Sequence, residues 1–319
     1  MRPIWTIALP TFNGQKYLAE TLFSVLAQSF QNFELLVCDD GSTDETLKIV
    51  DQTCGQRARI LENPSGRPLG LAGNWNRCME EAGGPWVTIL HQDDLLKPDF
   101  LEFHREVTGR ISDLGLLTGP APLIDSSGES IGPHQSDDFQ WPASDLVIWP
   151  AQALSRVLVR GNPVRCPGTS IRRDLHLQAG GFDGRWKYVV DWDFWYRLGQ
   201  LAPVGLTGKI LASQRWHSAS ETQKLARGTI DLEENARLMR TILASQAFAD
   251  SERGLLESGI RSRLTRAWFN RAYEAARRGD RNLERLALKH ARSEDWRLLV
   301  GLCLSHPKAL ARIVYGHQG

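Results

Sequence analysis

Three groups of carboxylates carry the most specific chemistry in this sequence: Asp39-Asp40, Asp93-Asp94, and Asp191 with Asp193. Adjacent carboxylates can hold a hard divalent cation, and a single carboxylate beside a hydroxyl can act as a general base. An Asp that follows a strand is more often a turn or N-cap residue. Placement raises these above that background, because two adjacent pairs fall at neighbouring strand ends. His217, two residues past Arg215, adds a nitrogen that either joins such a site or stays a surface histidine.

The elements that must position these groups are legible from periodicity. Residues 4–9 and 33–37 are β-rich apolar runs, separated by Leu18, Leu22, Val25 and Leu26 at helical spacing. Ser42-Thr-Asp-Glu45 has the form of a capping box, so a second helix is expected there, carrying Leu47, Ile49 and Val50. A strand at 59–61, a helix at 71–82, a strand at 86–90, a helix at 100–107 and a strand at 114–118 follow. This alternation dictates an α/β fold with a mainly parallel central sheet flanked by helices. In such sheets ligands bind beyond the carboxyl ends of the strands. Those ends are Pro10 to Asn13, Asp39 to Ser42 and His91 to Asp94. Residues 120–150, rich in Pro, Ser, Gly and Asp, predict a long surface excursion.

The chain has 319 residues, 42% of them hydrophobic and 24% charged, enough for a sizeable core of ordinary composition. No apolar run reaches the roughly 20 residues of a membrane helix, so a soluble or peripheral protein is expected. The opening residues lack a signal-peptide pattern, and five scattered cysteines without a C-x-x-C pair argue against a disulfide framework or zinc site. A reducing, cytoplasmic setting is expected. Charge divides unevenly, with 18 basic and 11 acidic residues in 222–319 against 20 and 26 in 1–221. The expected organisation is a domain at 1–221, with halves 1–119 and 120–221, and a basic helical module at 222–319. A basic module can meet nucleic acid, anionic lipid or an acidic polymer. Its arginines between Arg261 and Arg285 read first as a solvated face. The apolar stretch 298–304, followed by Lys308 and Arg312, keeps peripheral membrane contact open.

Thr6-Ile-Ala-Leu-Pro-Thr-Phe-Asn13 and Gln28-Ser-Phe-Gln-Asn-Phe-Glu-Leu-Leu-Val-Cys-Asp-Asp-Gly-Ser-Thr-Asp44 resemble glycosyltransferase family 2. The resemblance continues through Asn76, Ala82-Gly-Gly84, Leu90-His-Gln-Asp-Asp-Leu-Leu-Lys-Pro98, Gly180-Gly-Phe-Asp183 and Asp191-Trp-Asp-Phe-Trp-Tyr-Arg197, and stops near Ser220. It implies a GT-A nucleotide-binding fold, a nucleoside-diphosphate sugar donor and inversion of the anomeric carbon by a single displacement. On that resemblance Pro10, Thr11, Phe12, Asn13, Asp40, Asn76, Gln92 and Asp94 are donor-binding residues. Phe12 replaces a usual Tyr and can lie on the nucleobase; a carboxylate at Asp40 can accept its ring N–H from uracil, thymine or guanine, with UDP first.

The resemblance also makes Asp93 the metal-binding acid of a D-x-D element, for Mn²⁺ or Mg²⁺, with His91 in the position of the first Asp. His217 is expected at the metal or diphosphate, Asp191 as the base, and Trp186, Tyr188, Thr169 and Asp193 at the acceptor. Processive synthases of the family carry Gln-x-x-Arg-Trp; here Ala212 stands where the Gln is needed before Arg215-Trp216. Transfer of one sugar to a saccharide or lipid-linked saccharide, in cell-surface polysaccharide synthesis, is therefore the expected reaction. Its setting would be cytoplasmic, or peripheral at the inner membrane face, with no nucleic-acid partner. A nucleotidyltransferase would need a Gly-rich, Arg-containing loop after the first strand, which Pro10-Thr-Phe-Asn-Gly14 does not supply. A non-catalytic sugar-nucleotide or glycan-binding module of the same fold is the alternative.

Overall fold

The computed structural model describes residues 4–63, 65–132, 139–218 and 220–306. They form two compact units, divided after Ser218.

The first unit opens with β1 (Trp5–Thr11), α1 (Leu18–Leu26), β2 (Phe33–Asp39), α2 (Thr46–Cys54), β3 (Ala58–Glu62), α3 (Gly70–Glu81) and β4 (Trp86–Ile89). It continues through β5 (Leu95–Leu96), α4 (Phe100–Arg110), β6 (Leu116–Thr118), β7 (Leu123–Ile124), β8 (Ser130–Gly132) and β9 (Val147–Trp149). It closes with α5 (Ser155–Leu158), β10 (Thr169–Arg172), α6 (Asp174–Gln178), α7 (Val190–Gly199), β11 (Val204–Leu206) and β12 (Ala212–Arg215).

An eight-stranded sheet runs in the order β3-β2-β1-β4-β10-β6-β11-β9. Its β3-β2-β1-β4 half is parallel throughout, whereas β10 is antiparallel to both β4 and β6. A four-stranded sheet, β5-β12-β7-β8, lies apart in pairing. Trp5, Ile7 and Leu9 of β1 alternate into a core that also takes Leu18, Leu22 and Val25 from one face of α1 and Leu35 and Val37 from β2.

Register fixes the site. β1 pairs β2 in step from Trp5↔Phe33 to Thr11↔Asp39, so the two strands end side by side. The β1 pairing with β4 reaches Ala8↔Ile89, and Leu90 N donates to Ala8 O at 2.9 Å, which sets the His91 loop beside the same ends.

Two local expectations are corrected. Ser42 does not cap α2: its hydroxyl donates to Asp39 Oδ1 at 2.6 Å, and the helix begins at Thr46, whose N–H donates to Asp44 Oδ1 at 3.0 Å. The Ser42 oxygen accepts instead from Asn13 N at 2.8 Å, and α2 starts four residues downstream, beyond its reach as a cap. Residues 120–150 are also more than an excursion, since β9 pairs with β11 at the edge of the main sheet and β7 pairs with β12.

The second unit holds α8 (Glu221–Leu225), α9 (Ile230–Leu243), α10 (Asp250–Arg278) and α11 (Arg281–Ser305). Gly279, at φ 75°, ends α10 in the left-handed conformation that glycine adopts most cheaply. Asp280 caps α11 by accepting from Leu283 N at 3.0 Å. Arg271 and Asp231, both buried, form a two-pronged ion pair at 3.0 and 2.7 Å between α10 and α9. Among the described residues no helix is long and apolar enough to cross a membrane. Lys308 and Arg312 lie outside the described residues.

Candidate active site

The loop after β1 is held in shape by its neighbours. Gln92 accepts from Phe12 N at 2.9 Å and donates to Phe12 O at 3.1 Å, so one amide clamps the peptide on both sides. Asn13 has a left-handed φ of 48°; its N–H donates to Ser42 Oγ, and its Oδ1 accepts from Thr43 N, both at 2.8 Å. A side chain at Gly14 would collide with the Gln92 amide. Clamped in this way, Phe12 leaves its ring 46% exposed beside Pro10 and Thr11. The Thr11 hydroxyl faces inward and donates to Asp39 Oδ1 at 2.9 Å.

The acids after β2 are both buried and both engaged. Asp39 accepts from Gly41 N and Ser42 N at 3.0 and 2.8 Å and so holds the turn. Asp40 accepts from Asn63 Nδ2 and Leu69 N through Oδ1 and from Gly70 N through Oδ2, at 2.7–2.9 Å. It thereby anchors the segment that leads into α3.

After β4 the chain turns tightly, Asp94 N donating to His91 O at 3.2 Å. The His91 ring stacks on Trp75 of α3 at 5.1 Å and contacts the buried Cys166 thiol. Its Nδ1 lies 3.3 Å from Asp94 Oδ2, which makes no well-directed hydrogen bond among the described residues. Asp94 Oδ1 accepts from Arg215 N at 2.8 Å, and Asp93 Oδ2 is 2.8 Å from His217 Nε2. His91, Asp93 and Asp94 can each turn a ligand atom within 4.8 Å of the others. Burial and the neighbouring Asp93 charge push Asp94 up to about 6, against the pull of His91 and the Arg215 N–H. For His91, burial disfavours the charged ring, but the neighbouring Asp94 carboxylate and Cys166 prevail and raise it well above the ordinary value. An under-bonded buried carboxylate oxygen, a second carboxylate and imidazole nitrogen fit a hard divalent cation such as Mn²⁺ or Mg²⁺.

Asp191, at the start of α7, is half-buried. It accepts from Trp192 N at 2.7 Å and from Asn162 Nδ2 at 3.2 Å. Burial raises its pKa, opposed by Arg165, the Trp192 N–H, His91 and Asn162. Asp191 lies within electrostatic reach of His91 and of Cys166.

Other expected residues serve the frame. Asn76 accepts from Phe182 N at 2.7 Å, donates to Phe182 O at 2.9 Å and meets His176 Nε2 at 2.8 Å, so its amide is spent on the glycine turn before α7. Asp193 pairs with Arg197 at 2.7 Å, and Arg197 reaches on to Ala179 O and Gly181 O of that turn. The buried Thr169 hydroxyl is shared between Thr118 Oγ1 at 2.8 Å and Arg165 O at 2.7 Å. Trp186 and Tyr188 are half-buried in the loop that precedes α7. Phe194 and Trp195 are core, packed with Phe182.

Residue patterns did not signal Glu20, Asn162, Arg165 or Cys166. Arg215 was legible through its spacing to His217 and as part of the incomplete Gln-x-x-Arg-Trp pattern, but its partners were not. In the structure its guanidinium is fully buried, donating to Asp93 O at 2.9 Å, Asp125 O at 3.1 Å and Glu20 Oε2 at 2.7 Å.

Residues 6–106 match the model of Glycosyl transferase family 2. That segment belongs to the family. An uncharacterized glycosyltransferase of Rickettsia felis is 26% identical over 70% of this chain, which spans only 36% of that relative's length. TarS 1–349 of S. aureus, solved with UDP-GlcNAc, superposes with a TM-score of 0.64 at 18% identity, over 95% of this chain and 91% of that one. A mannosyltransferase of Pyrobaculum calidifontis, solved with GDP-Man and Mn²⁺, gives 0.59 at 15% identity, over 98% and 81%. The chain has the GT-A fold, with helices following it.

Proposed function

We propose that this chain is an inverting, metal-dependent glycosyltransferase that moves one sugar from a nucleoside-diphosphate donor, UDP first, to a saccharide or lipid-linked saccharide. The observation that carries the reading is convergence: Asp93, Asp94, His91 and His217 meet at one centre, and Asp191 interacts electrically with it. The Mn²⁺ complex of the mannosyltransferase and the UDP-GlcNAc complex of TarS support it from outside the chain.

In this reading residues 1–119 hold the donor, residues 120–221 the acceptor, and the helical module is separate. The exposed Phe12 ring is the platform for the nucleobase, with Pro10, Thr11 and Asn13 shaping the loop and Gln92 locking it. Asp40 and Asn76 hold the walls through their hydrogen bonds to the 63–70 segment and the glycine turn. Asp93 and His217 would hold the cation, with Asp94 behind them; the cation supplies positive charge against the diphosphate as it leaves. Asp191 takes the proton from the acceptor hydroxyl, a task suited to a carboxylate whose burial strengthens it as a base. Trp186 and Tyr188 offer ring faces to the acceptor sugar, with Thr169 and Asp193 in the scaffold behind. Free, scattered cysteines suit work in a reducing cytoplasm, and a cell-surface polysaccharide is the acceptor class we assign.

A thermal-shift screen of UDP, dTDP, GDP, CDP and ADP, each with Mn²⁺ and with EDTA, tests it, since ligands that bind the native state raise its apparent stability. One diphosphate is expected to stand out with Mn²⁺ and lose its effect in EDTA. No shift with any nucleotide would favour a non-catalytic glycan-binding module; a shift unaffected by EDTA would remove Asp93 from the metal.

A further inference from the structure

We propose that α11 is a docking surface for an anionic lipid bilayer. Asp295 divides this helix: at φ −151° it leaves the helical conformation, and its Oδ1 accepts from Arg297 N and Leu298 N, both at 3.0 Å. Before the break Arg281, Arg285, Lys289 and Arg292 are all exposed. Positions four, four and three apart share one helix face, so they form a single basic stripe, opposite the buried Ala287 and Ala291.

After the break Trp296, Val300 and Leu304, each four residues on, are 58%, 50% and 71% exposed. Leu302 instead turns inward to Phe269. The solvent face of the final turns is thus an apolar ridge. The two acids beside it are already engaged, Glu294 by Arg240 at 2.7 Å and Asp295 by the backbone of the ridge itself. Cationic and apolar chemistry are therefore presented by one element, in a unit with 18 basic and 11 acidic residues over 222–319.

An anionic bilayer uses both features, with phosphate headgroups meeting the stripe and the acyl boundary taking Trp296, Val300 and Leu304. A soluble polyanion needs only the stripe. A second copy of the chain would set like charges against each other unless the stripes were kept apart. The inference does not depend on the proposed reaction, although a membrane-held enzyme would meet a lipid-linked acceptor directly.

Flotation of the full chain with phosphatidylcholine vesicles, with and without phosphatidylglycerol, tests the surface. Binding is expected only to the anionic vesicles and should fall as salt is raised. The triple variants Trp296→Ser/Val300→Ser/Leu304→Ser and Arg285→Glu/Lys289→Glu/Arg292→Glu should each lose about tenfold or more of it. Both alter exposed positions, so an unchanged circular dichroism spectrum and an unchanged nucleotide-induced thermal shift should accompany the loss. The proposal is overturned if the parent fails to float, floats equally with neutral vesicles, or if either variant binds like the parent. It is also overturned if the ridge variant converts a dimer to a monomer without affecting flotation, or if heparin is bound and vesicles are not.

Discussion

Asp191 carries the sharpest claim at the scale of a single residue. Its pKa is raised by burial, while Arg165, the Trp192 N–H, His91 and Asn162 keep the charged form available. Asp191→Asn keeps shape and removes the proposed base, so turnover should fall by about 10²–10⁴-fold. The nucleotide-induced thermal shift should remain at the parent level; loss of both together would mean that Asp191 holds the fold rather than the proton. His104 offers a separate prediction on stability. Its ring is buried on Phe100 with Nδ1 2.7 Å from Ser170 Oγ, and burial lowers its pKa to about 3. The unfolded chain takes up this proton below about pH 6.5, and the folded chain resists it down to about 3. Stability is thus fully present above 6.5 and lost as the pH falls, by up to about 1.4 kcal/mol per unit from this group. Urea unfolding at pH 7, 6 and 5 should show a shallower loss in His104→Asn than in the parent.

Among the elements, β12 is the one that closes the site. One buried guanidinium, Arg215, joins α1 through Glu20, the β4–β5 loop through Asp93 O, and the β7 turn through Asp125 O, while its ring contact with Tyr17 lies at 4.6 Å. Because the same residue's N–H also holds Asp94, Arg215 fixes the position of both acids. Arg215→Lys should weaken the Mn²⁺-dependent part of the nucleotide thermal shift by about 10–100-fold in metal concentration. A general loss of stability with an unshifted Mn²⁺ titration would show a structural role alone. The glycine turn before α7 makes a contrasting case. Gly181 has φ 65°, and a Cβ there would lie 2.9 Å from Asn76 Oδ1. Gly181→Ala should therefore cost about 1–2 kcal/mol in unfolding free energy, measured by urea titration, while leaving Asp93 and His217 their metal response.

At the scale of the whole molecule, the chain is two compact units with opposite charge balance. The residues that follow the division are poorly held: α8 has five residues and buries none of them, and Lys224 and Arg227 are exposed. Segments with few buried contacts open locally at low free energy. Limited trypsin digestion should therefore cut first at Lys224 or Arg227, read by mass spectrometry of the earliest fragments. First cleavage within α10 or α11 would contradict the division.

Sequence by itself determined the alternation of strands and helices through β4, because apolar periodicity is a local property of each segment. It also determined which loops gather beside one another, since a parallel sheet brings the carboxyl ends of its strands together wherever the sequence puts them. The Asp93-Asp94 pair and Phe12 were readable for that reason. Tertiary structure alone decided what each polar group binds. Ser42 had the spacing of a helix cap and went to Asp39. Asn76 and Asp193, expected at the ligands, spend their hydrogen bonds on the glycine turn, directly or through Arg197. The pairings that build the centre join residues far apart in the chain, Asp93 with His217, His91 with Cys166, and Arg215 with Glu20. No local pattern encodes such partners, because a buried polar side chain takes whichever partner the packed chain brings within hydrogen-bond reach, and that choice exists only after the sheet has closed.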